Sequence, residues 1–323
     1  MKKNLGLLLL LIAACACTYV ANDRFLAPVN IENLLRRTAL FSLVSIGAAF
    51  VITSGGIDLA IGSTVCLVGT LLPWLIMSHG WPWALALATL LGVAALLGVA
   101  HGLLITKLRL QPFIVTLCGL LLYRGITRGL TGDQTQGFGT EFEGLRSVAL
   151  TRVTLGDTLP FAIPSVVFIT LAVALSAALI MNKTRYGLYL RAIGRNEVAA
   201  TYSGIHTDLV KTLAYVACAT LAGVSGVLFI LDVNSAQPSD FGNFYELYAI
   251  AAAVLGGCSL RGGEASIAGV IIGAALMQVL RNAIVLLDIP TQLEFAIIGG
   301  VILVGVGLEE IVRSSARLVK ASA

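Results

Sequence analysis

Leu59–Thr106 is a stretch of 48 consecutive residues with no Asp, Glu, Lys or Arg. A water-soluble fold cannot carry a stretch of that kind, because each of its exposed turns needs solvated side chains. Soluble domains average about 25% charged residues, and this chain has 12%. A membrane span takes about 20 mainly apolar residues, so the stretch must hold two helices. Gly and Pro punctuate helices, which puts the turn at Ser78-His79-Gly80-Trp81-Pro82.

The same test finds further charge-free runs at Asn4–Asn22, Thr38–Ile57, Leu110–Tyr123, Thr158–Asn182, Thr212–Leu231, Leu247–Leu260, Ala265–Leu280 and Phe295–Leu308. With the double run they give ten candidate helices. The expected fold class is all-α, a polytopic membrane helical bundle forming a single domain over residues 1–323. Leu110–Tyr123, Leu247–Leu260 and Phe295–Leu308 have 14 residues each and span only if flanking polar residues are admitted. Short segments mark transport paths; tilt and snorkelling accommodate them equally well. Ile12-Ala13-Ala14-Cys15 after Lys2-Lys3 also fits a lipoprotein cleavage box. A chain that goes on to span many more times favours a retained first helix.

Lys+Arg 21 against Asp+Glu 17 gives a net charge of +4. In a membrane protein that excess reads as orientation, not nucleic-acid binding. With the N-terminus inside, ten spans place thirteen positives in the cytoplasm: Lys2, Lys3, Lys107, Arg109, Lys183, Arg185, Arg191, Arg195, Lys211, Arg261, Arg313, Arg317 and Lys320. Arg24, Arg36, Arg37, Arg124, Arg128, Arg146, Arg152 and Arg281 fall outside or within the spans. Both termini are therefore expected in the cytoplasm, and Trp74, Trp81 and Trp83 anchor the outer interface.

There is no G-x-x-x-x-G-K-[ST] and no H-E-x-x-H. His79, His101 and His206 are far apart in the sequence, with no Cys or carboxylate cluster around them, so no metal site is expected. The six cysteines lie in apolar stretches and read as small hydrophobes. Nothing resembles an acid–base pair, so the chain is not expected to be an enzyme or to bind a cofactor.

Three features remain. The first is the polar loop at about 183–211, with five positives against Glu197 and Asp208. Asn196 can cap a helix start, Glu197 suits its first turn and Gly204 can close it. A helix of about two turns, with Val198, Ala199, Ala200 and Tyr202 exposed, would gain by docking on a partner. The second is a pair of glycine turns, Gly55–Gly62 and Gly256–Gly263, identical at four of eight positions, which suggests an internal repeat. The third is a set of ionisable residues at membrane depth or its edge: Asp58, Arg124, Arg128, Glu246, Arg281 and Glu294. An Asp or Arg at mid-membrane costs about 3 kcal/mol, so those at that depth must face the interior or an aqueous path. Asp58, Gln111, Thr116, Tyr123, Asn234, Gln237 and Glu246 are candidates to line such a path.

Thr53–Ser63, Gln111–Leu117 with Tyr123-Arg124-Gly125, the 183–211 loop, and Ser235–Pro238 through Ala249–Gly257 together resemble the permease subunits of bacterial monosaccharide ABC importers, the ribose, xylose and arabinose type most closely. The motifs occur in family order from about the second helix almost to the C-terminus. One departure is Glu246-Leu247-Tyr248, where the family commonly has Glu-Leu-Asp.

The resemblance implies the type II importer permease fold and a place in the bacterial inner membrane. Its implied partners are a second permease copy or paralogue, two cytoplasmic ABC ATPase subunits or one tandem ATPase, and a periplasmic sugar-binding protein. ATP would be used by the partner, not by this chain. The resemblance also assigns coupling to the ATPase to Gly187, Gly194, Asn196, Ala199, Ala200 and Gly204, which match the family's loop pattern; Glu197 opens the expected coupling helix, and Arg191 and Arg195 are expected to pair with acidic residues on the partner. The alternative is an ion-coupled secondary transporter working alone, with Asp58 and Glu294 as its coupling carboxylates.

Overall fold

The computed structural model describes residues 2–154, 160–301 and 303. Among the described residues, twelve α-helices are bounded at both ends: α1 Lys2–Ala21, α2 Pro28–Thr53, α3 Ile61–Pro73, α4 Trp83–Thr106, α5 Pro112–Thr131, α6 Glu143–Leu150, α7 Ser165–Lys183, α8 Arg185–Arg195, α9 Glu197–Tyr202, α10 Thr207–Val233, α11 Tyr245–Leu255 and α12 Ile267–Leu286. Among the described residues, seven are long and apolar enough to cross a membrane: α2, α3 with its continuation to Ser78, α4, α5, α7, α10 and α12. Residues 294–301 begin a further helix; the rest of the Phe295–Leu308 run lies largely outside the described residues.

Proline sets several helix starts. Pro28 and Pro112 occupy the first turns of α2 and α5, where the missing N–H would have been unpaired anyway. Pro73 closes the regular part of the third apolar helix, which continues as a π-helical turn over Trp74–Ser78. The turn expected at Ser78–Pro82 follows directly.

α2 lies at the centre, with 83% of its apolar window buried against 22% for α4 and 28% for α5 and α7. Those three helices therefore present most of their surface to lipid or to another chain. α10 packs along α2, α3 and α4, and glycine permits the close approach. A Cβ on Gly98 would lie 2.6 Å from the Tyr215 carbonyl oxygen, and one on Gly226 would lie 2.6 Å from that of Val65. Small residues at such crossings let backbones meet inside a membrane.

The charge-free runs misplace several boundaries. α2 starts at Pro28, not Thr38, because its charges are paired from distant chain. Arg36 bonds Asp232 at 3.1 Å, while Glu32 accepts from Arg152 at 2.8 Å and from the Ala162 backbone at 3.0 Å. α5 continues past Tyr123 because Arg124 donates to the carbonyls of Pro238, Ser239 and Phe241 at 3.1–3.2 Å. α11 has only 11 residues, so admitting its flanks does not make it a full span. The connection from α5 to α7 is not a short loop: it carries α6 and a two-residue hairpin, β1 Arg152–Val153 with β2 Ile163–Pro164, antiparallel with Val153 opposite Ile163.

Connections alternate between two ends of the bundle. One end gathers residues 54–60, 107–111, 184–206 and 256–266, with Lys107, Arg109, Arg185, Arg191, Arg195 and Arg261. The other holds the α5–α7 connection and the α10–α11 connection, joined by a bridge between Gln136 and Ala236. We call these the basic end and the opposite end.

Candidate functional site

The polar loop at the basic end is built as two helices, of which the sequence showed one. Thr184 caps α8, its hydroxyl accepting from the Gly187 N–H at 3.3 Å. Asn196 caps α9, accepting from the Ala199 N–H at 2.9 Å. Gly204 closes α9 at φ +81°, with its N–H on the Thr201 carbonyl and the Ile205 N–H on that of Ala200. Lys211 from α10 grips both Glu197 oxygens at 3.0 Å. The Tyr186 hydroxyl donates to the Val210 carbonyl at 3.3 Å, and burial pushes this phenol above its ordinary pKa.

Val198 and Tyr202 are exposed, 64% and 88%. Ala200 corrects the sequence reading: it is buried at 4%, on the face of α9 that rests on the bundle. Ala199 stays on the open side. Arg191 is held by Asn182 at 2.6 Å, and Arg195 lies exposed. Gly187 packs against the last carbonyls of α7, where a Cβ would meet the Ile180 oxygen at 2.6 Å.

Gly194 brings this segment into backbone contact with both glycine turns. A Cβ there would overlap the Thr53 oxygen and the Gly263 nitrogen and reach the Gly262 carbonyl carbon at 3.0 Å. Gly262 has φ +82°, and a Cβ on it would lie 2.7 Å from the Gly194 oxygen and 2.9 Å from the Gly55 nitrogen. The Gly263 N–H donates to the Thr53 carbonyl at 2.9 Å. Three stretches of backbone thus meet with no side chain between them.

The two turns share one closure, shifted by a residue from the sequence match. Gly55 and Gly257 both have positive φ, +84° and +89°, and each donates to a carbonyl three residues back. The next residues, Gly56 and Cys258, each donate to a carbonyl five residues back. This is the helix-ending motif that favours glycine. Positive φ therefore belongs to Gly55, while Gly56 is the close approach, facing the Tyr215 hydroxyl and Val51. Burial lifts the Cys258 thiol to about 12, consistent with an inert structural cysteine.

The candidate path residues divide into groups. Asp58 is buried, its carboxylate accepting from the Ala60 N–H at 2.8 Å. Thr116 bonds back to Pro112 at 2.9 Å and across to Ile57 at 3.3 Å. Tyr123 pairs with His101 Nε2 at 2.7 Å. Glu246 is buried against Gly62. Gln111 stands exposed at the basic end as the N-cap residue of α5. Asn234 and Gln237 sit at the opposite end: Asn234 bonds the backbone of Phe138 and Gly139, and Gln237 bonds Thr135 and the Asp133 carbonyl. The structure therefore does not join these seven into one lining.

Glu294 is also engaged. It accepts from Arg281 at 2.7 Å and from the Tyr248 hydroxyl at 3.2 Å, and the Arg281 guanidinium lies 5.0 Å from the Tyr248 ring centroid. Tyr248, the departure from the family's Glu-Leu-Asp, is thus an aromatic partner for this pair.

Residues 30–306 match the profile of the family described as branched-chain amino acid transport system / permease component. The chain belongs to this family. Its curated relatives include the ribose import permease protein RbsC of Bacillus subtilis, 37% identical over 308 residues, covering 94% of this chain and 91% of the relative. RbsC of Escherichia coli K12 is 35% identical over 306 residues, with 94% and 92% covered. The xylose transport system permease protein XylH of E. coli K12 is 29% identical over 344 residues, with 90% and 87% covered. No solved structure matches the chain. As a member of this permease family the chain is a transport subunit without an ATPase motif, and a multi-pass protein of the bacterial plasma membrane.

Sequence reading missed the company of His101. Its ring stacks on Tyr123 at 5.6 Å, meets Tyr215 edge-on at 6.3 Å and interacts electrostatically with Asp58. Asp58, Tyr123 and Tyr215 come from different elements, so no local spacing announced the cluster.

Proposed function

We propose that this permease, with a second copy, forms the membrane pore of an ATP-driven importer for a monosaccharide, a ribose-like pentose or related sugar. Cytoplasmic ABC ATPase subunits supply the drive, and a periplasmic binding protein delivers the sugar. The observation that carries this reading is the α8–α9 segment. It presents Val198 and Tyr202 to water while Gly194 ties it by backbone to the end of α2 and to the α11–α12 connection. A peg of that construction passes a push from outside the membrane directly into two helices.

Counting α1, the helix starting at 294 and the short α11, which crosses only together with the 234–244 connection leading into it, beside the seven apolar helices gives ten membrane segments. The basic end then lies in the cytoplasm with both termini, in the type II importer arrangement. The exposed face of α5 suits the second copy. Leu121 and Leu122 are 66% and 58% exposed, and Gly125-x-x-x-Gly129 has nothing packed on either glycine. Cys118, Leu121, Leu122, Gly125 and Ile126 line an open groove of about 610 Å³. Close approach of small residues drives helix pairing in lipid. α5 also runs from Gln111 at one mouth to the Asn234–Gln237 loop at the other, so paired α5 helices place the sugar route along their shared face.

The test is reconstitution of the permease with its cognate ATPase and binding protein in proteoliposomes. ATP-dependent pentose uptake is expected, and Val198→Asp is expected to abolish ATPase binding while leaving the permease folded. Uptake without the ATPase, or a Val198→Asp variant that binds it normally, refutes the reading.

A further inference from the structure

The α4–α5 elbow, Lys107–Gln111, is short and tightly folded. Arg109 adopts φ +56°, and the Leu110 N–H reaches back to the Leu104 carbonyl at 3.3 Å. That geometry turns two leucines outward at the polar end of the bundle: Leu108 is 63% exposed and Leu110 44%. Exposed leucines on a charged turn cost free energy unless something covers them.

The elbow is joined to the coupling segment. Lys107 bonds Asp208 at 2.9 Å, and Arg109 lies 3.9 Å from the same carboxylate. Asp208 stands in the first turn of α10, directly after α9. Between elbow and α9 lies a cleft of about 450 Å³, with Arg109 and Leu110 on one wall and Val198 and Thr201 on the other. Val198 and Leu110 thus border the same cleft.

Charge selects the occupant. One carboxylate, Asp208, serves two cations that are 65% and 72% exposed. Glu197 is already taken by Lys211. The platform therefore keeps an unmatched positive charge beside two uncovered leucines. An acidic protein surface with an apolar knob complements that combination.

We propose that the elbow is a second docking element for the ATPase subunit, so that one acidic, apolar projection of the partner is clamped between α9 and residues 107–111. The proposal rests on the reading of the chain as an ATP-driven permease. It assigns the elbow to the protein partner in preference to the anionic lipid surface, because the opposite wall of the cleft is the coupling helix itself. Clamping from both sides means that a push on α9 also reaches α4 and α5.

The experiment uses the full-length permease and its cognate ATPase, purified together in detergent. Rim charges act mainly on association rate, so Arg109→Glu is expected to slow ATPase association about fivefold at low salt, with the difference shrinking at high salt. Leu108→Ser is expected to speed dissociation about fivefold. A photoreactive residue at position 108 in lipid nanodiscs is expected to label the cognate ATPase. Labelling of phospholipid alone, with both variants binding at wild-type rates, overturns the second docking element while Val198→Asp still loses the ATPase. If Val198→Asp also binds normally, the parent reading fails as well.

Discussion

Gly194→Ala tests the backbone junction most directly. The added methyl would overlap the Thr53 oxygen and the Gly263 nitrogen and lie 3.0 Å from the Gly262 carbonyl carbon. All three are main-chain atoms, so no side-chain rotation relieves the clash. Overpacking of this kind costs about 1–3 kcal/mol. Separating the segments also gives up the 2.9 Å bond from the Gly263 N–H to the Thr53 carbonyl, worth about 0.5–1.5 kcal/mol. The sum, about 1.5–4.5 kcal/mol, lifts α8 off the two turns, and at about 1.4 kcal/mol per tenfold it weakens the seated state by roughly 10- to 1,600-fold. The outer face of α9 is untouched, so on the proposed reading ATPase docking is expected to survive. In proteoliposomes containing the whole importer, ATP hydrolysis should persist while sugar uptake falls more than tenfold. Gly204→Ala is the control: it is strained by φ +81°, but nothing lies within 4 Å of its Cβ. Wild-type uptake and thermal stability for Gly194→Ala would refute the reasoning.

Gly56→Ala should lower the detergent melting temperature by colliding with the Tyr215 hydroxyl, and Tyr215→Phe in the same chain should recover much of the loss by removing that oxygen. Asp232→Ala leaves Arg36 buried and unpaired, and such breaks cost about 3–5 kcal/mol; replacing both partners with apolar residues of similar volume should cost far less when unfolding is followed by denaturant titration.

Local signals were readable in the sequence and distant ones were not. The α9 start and stop depend on Asn196 and Gly204, a few residues from the atoms they satisfy, so both were visible. The Ser78–Pro82 turn was visible for the same reason. The first ten residues of α2 were not, because the folded-state partners of Glu32 and Arg36, Arg152 and Asp232, lie more than a hundred residues away in the chain. α8 hides among basic residues whose helical face packs on the end of α7. The inward face of Ala200 depends on the bundle beneath it. The glycine repeat was seen in the correct places but one residue out of register, because identity rewards matching letters while the closure is set by hydrogen bonds. Polarity alone marks the candidate path residues, and polarity does not distinguish a bond between helices from contact with a passing sugar.

The pairing of α2 has a consequence for the order of synthesis. Arg36 is separated from Asp232 by 196 residues and Glu32 from Arg152 by 120. At about 5–20 residues per second, Asp232 emerges roughly 10–40 s after Arg36, and Arg152 roughly 6–24 s after Glu32. Throughout that interval α2 must be accommodated in the membrane without its final partners. Glu32 and Arg36 are four residues apart, with the acid nearer the helix start, the spacing and order in which opposite charges on one helix attract. The two residues can therefore neutralise one another in the nascent chain and exchange that pairing for Arg152 and Asp232 once those arrive. On this view Arg36→Glu damages biogenesis before it damages transport, and the defect should already be measurable as poor membrane insertion of a chain truncated before Arg152.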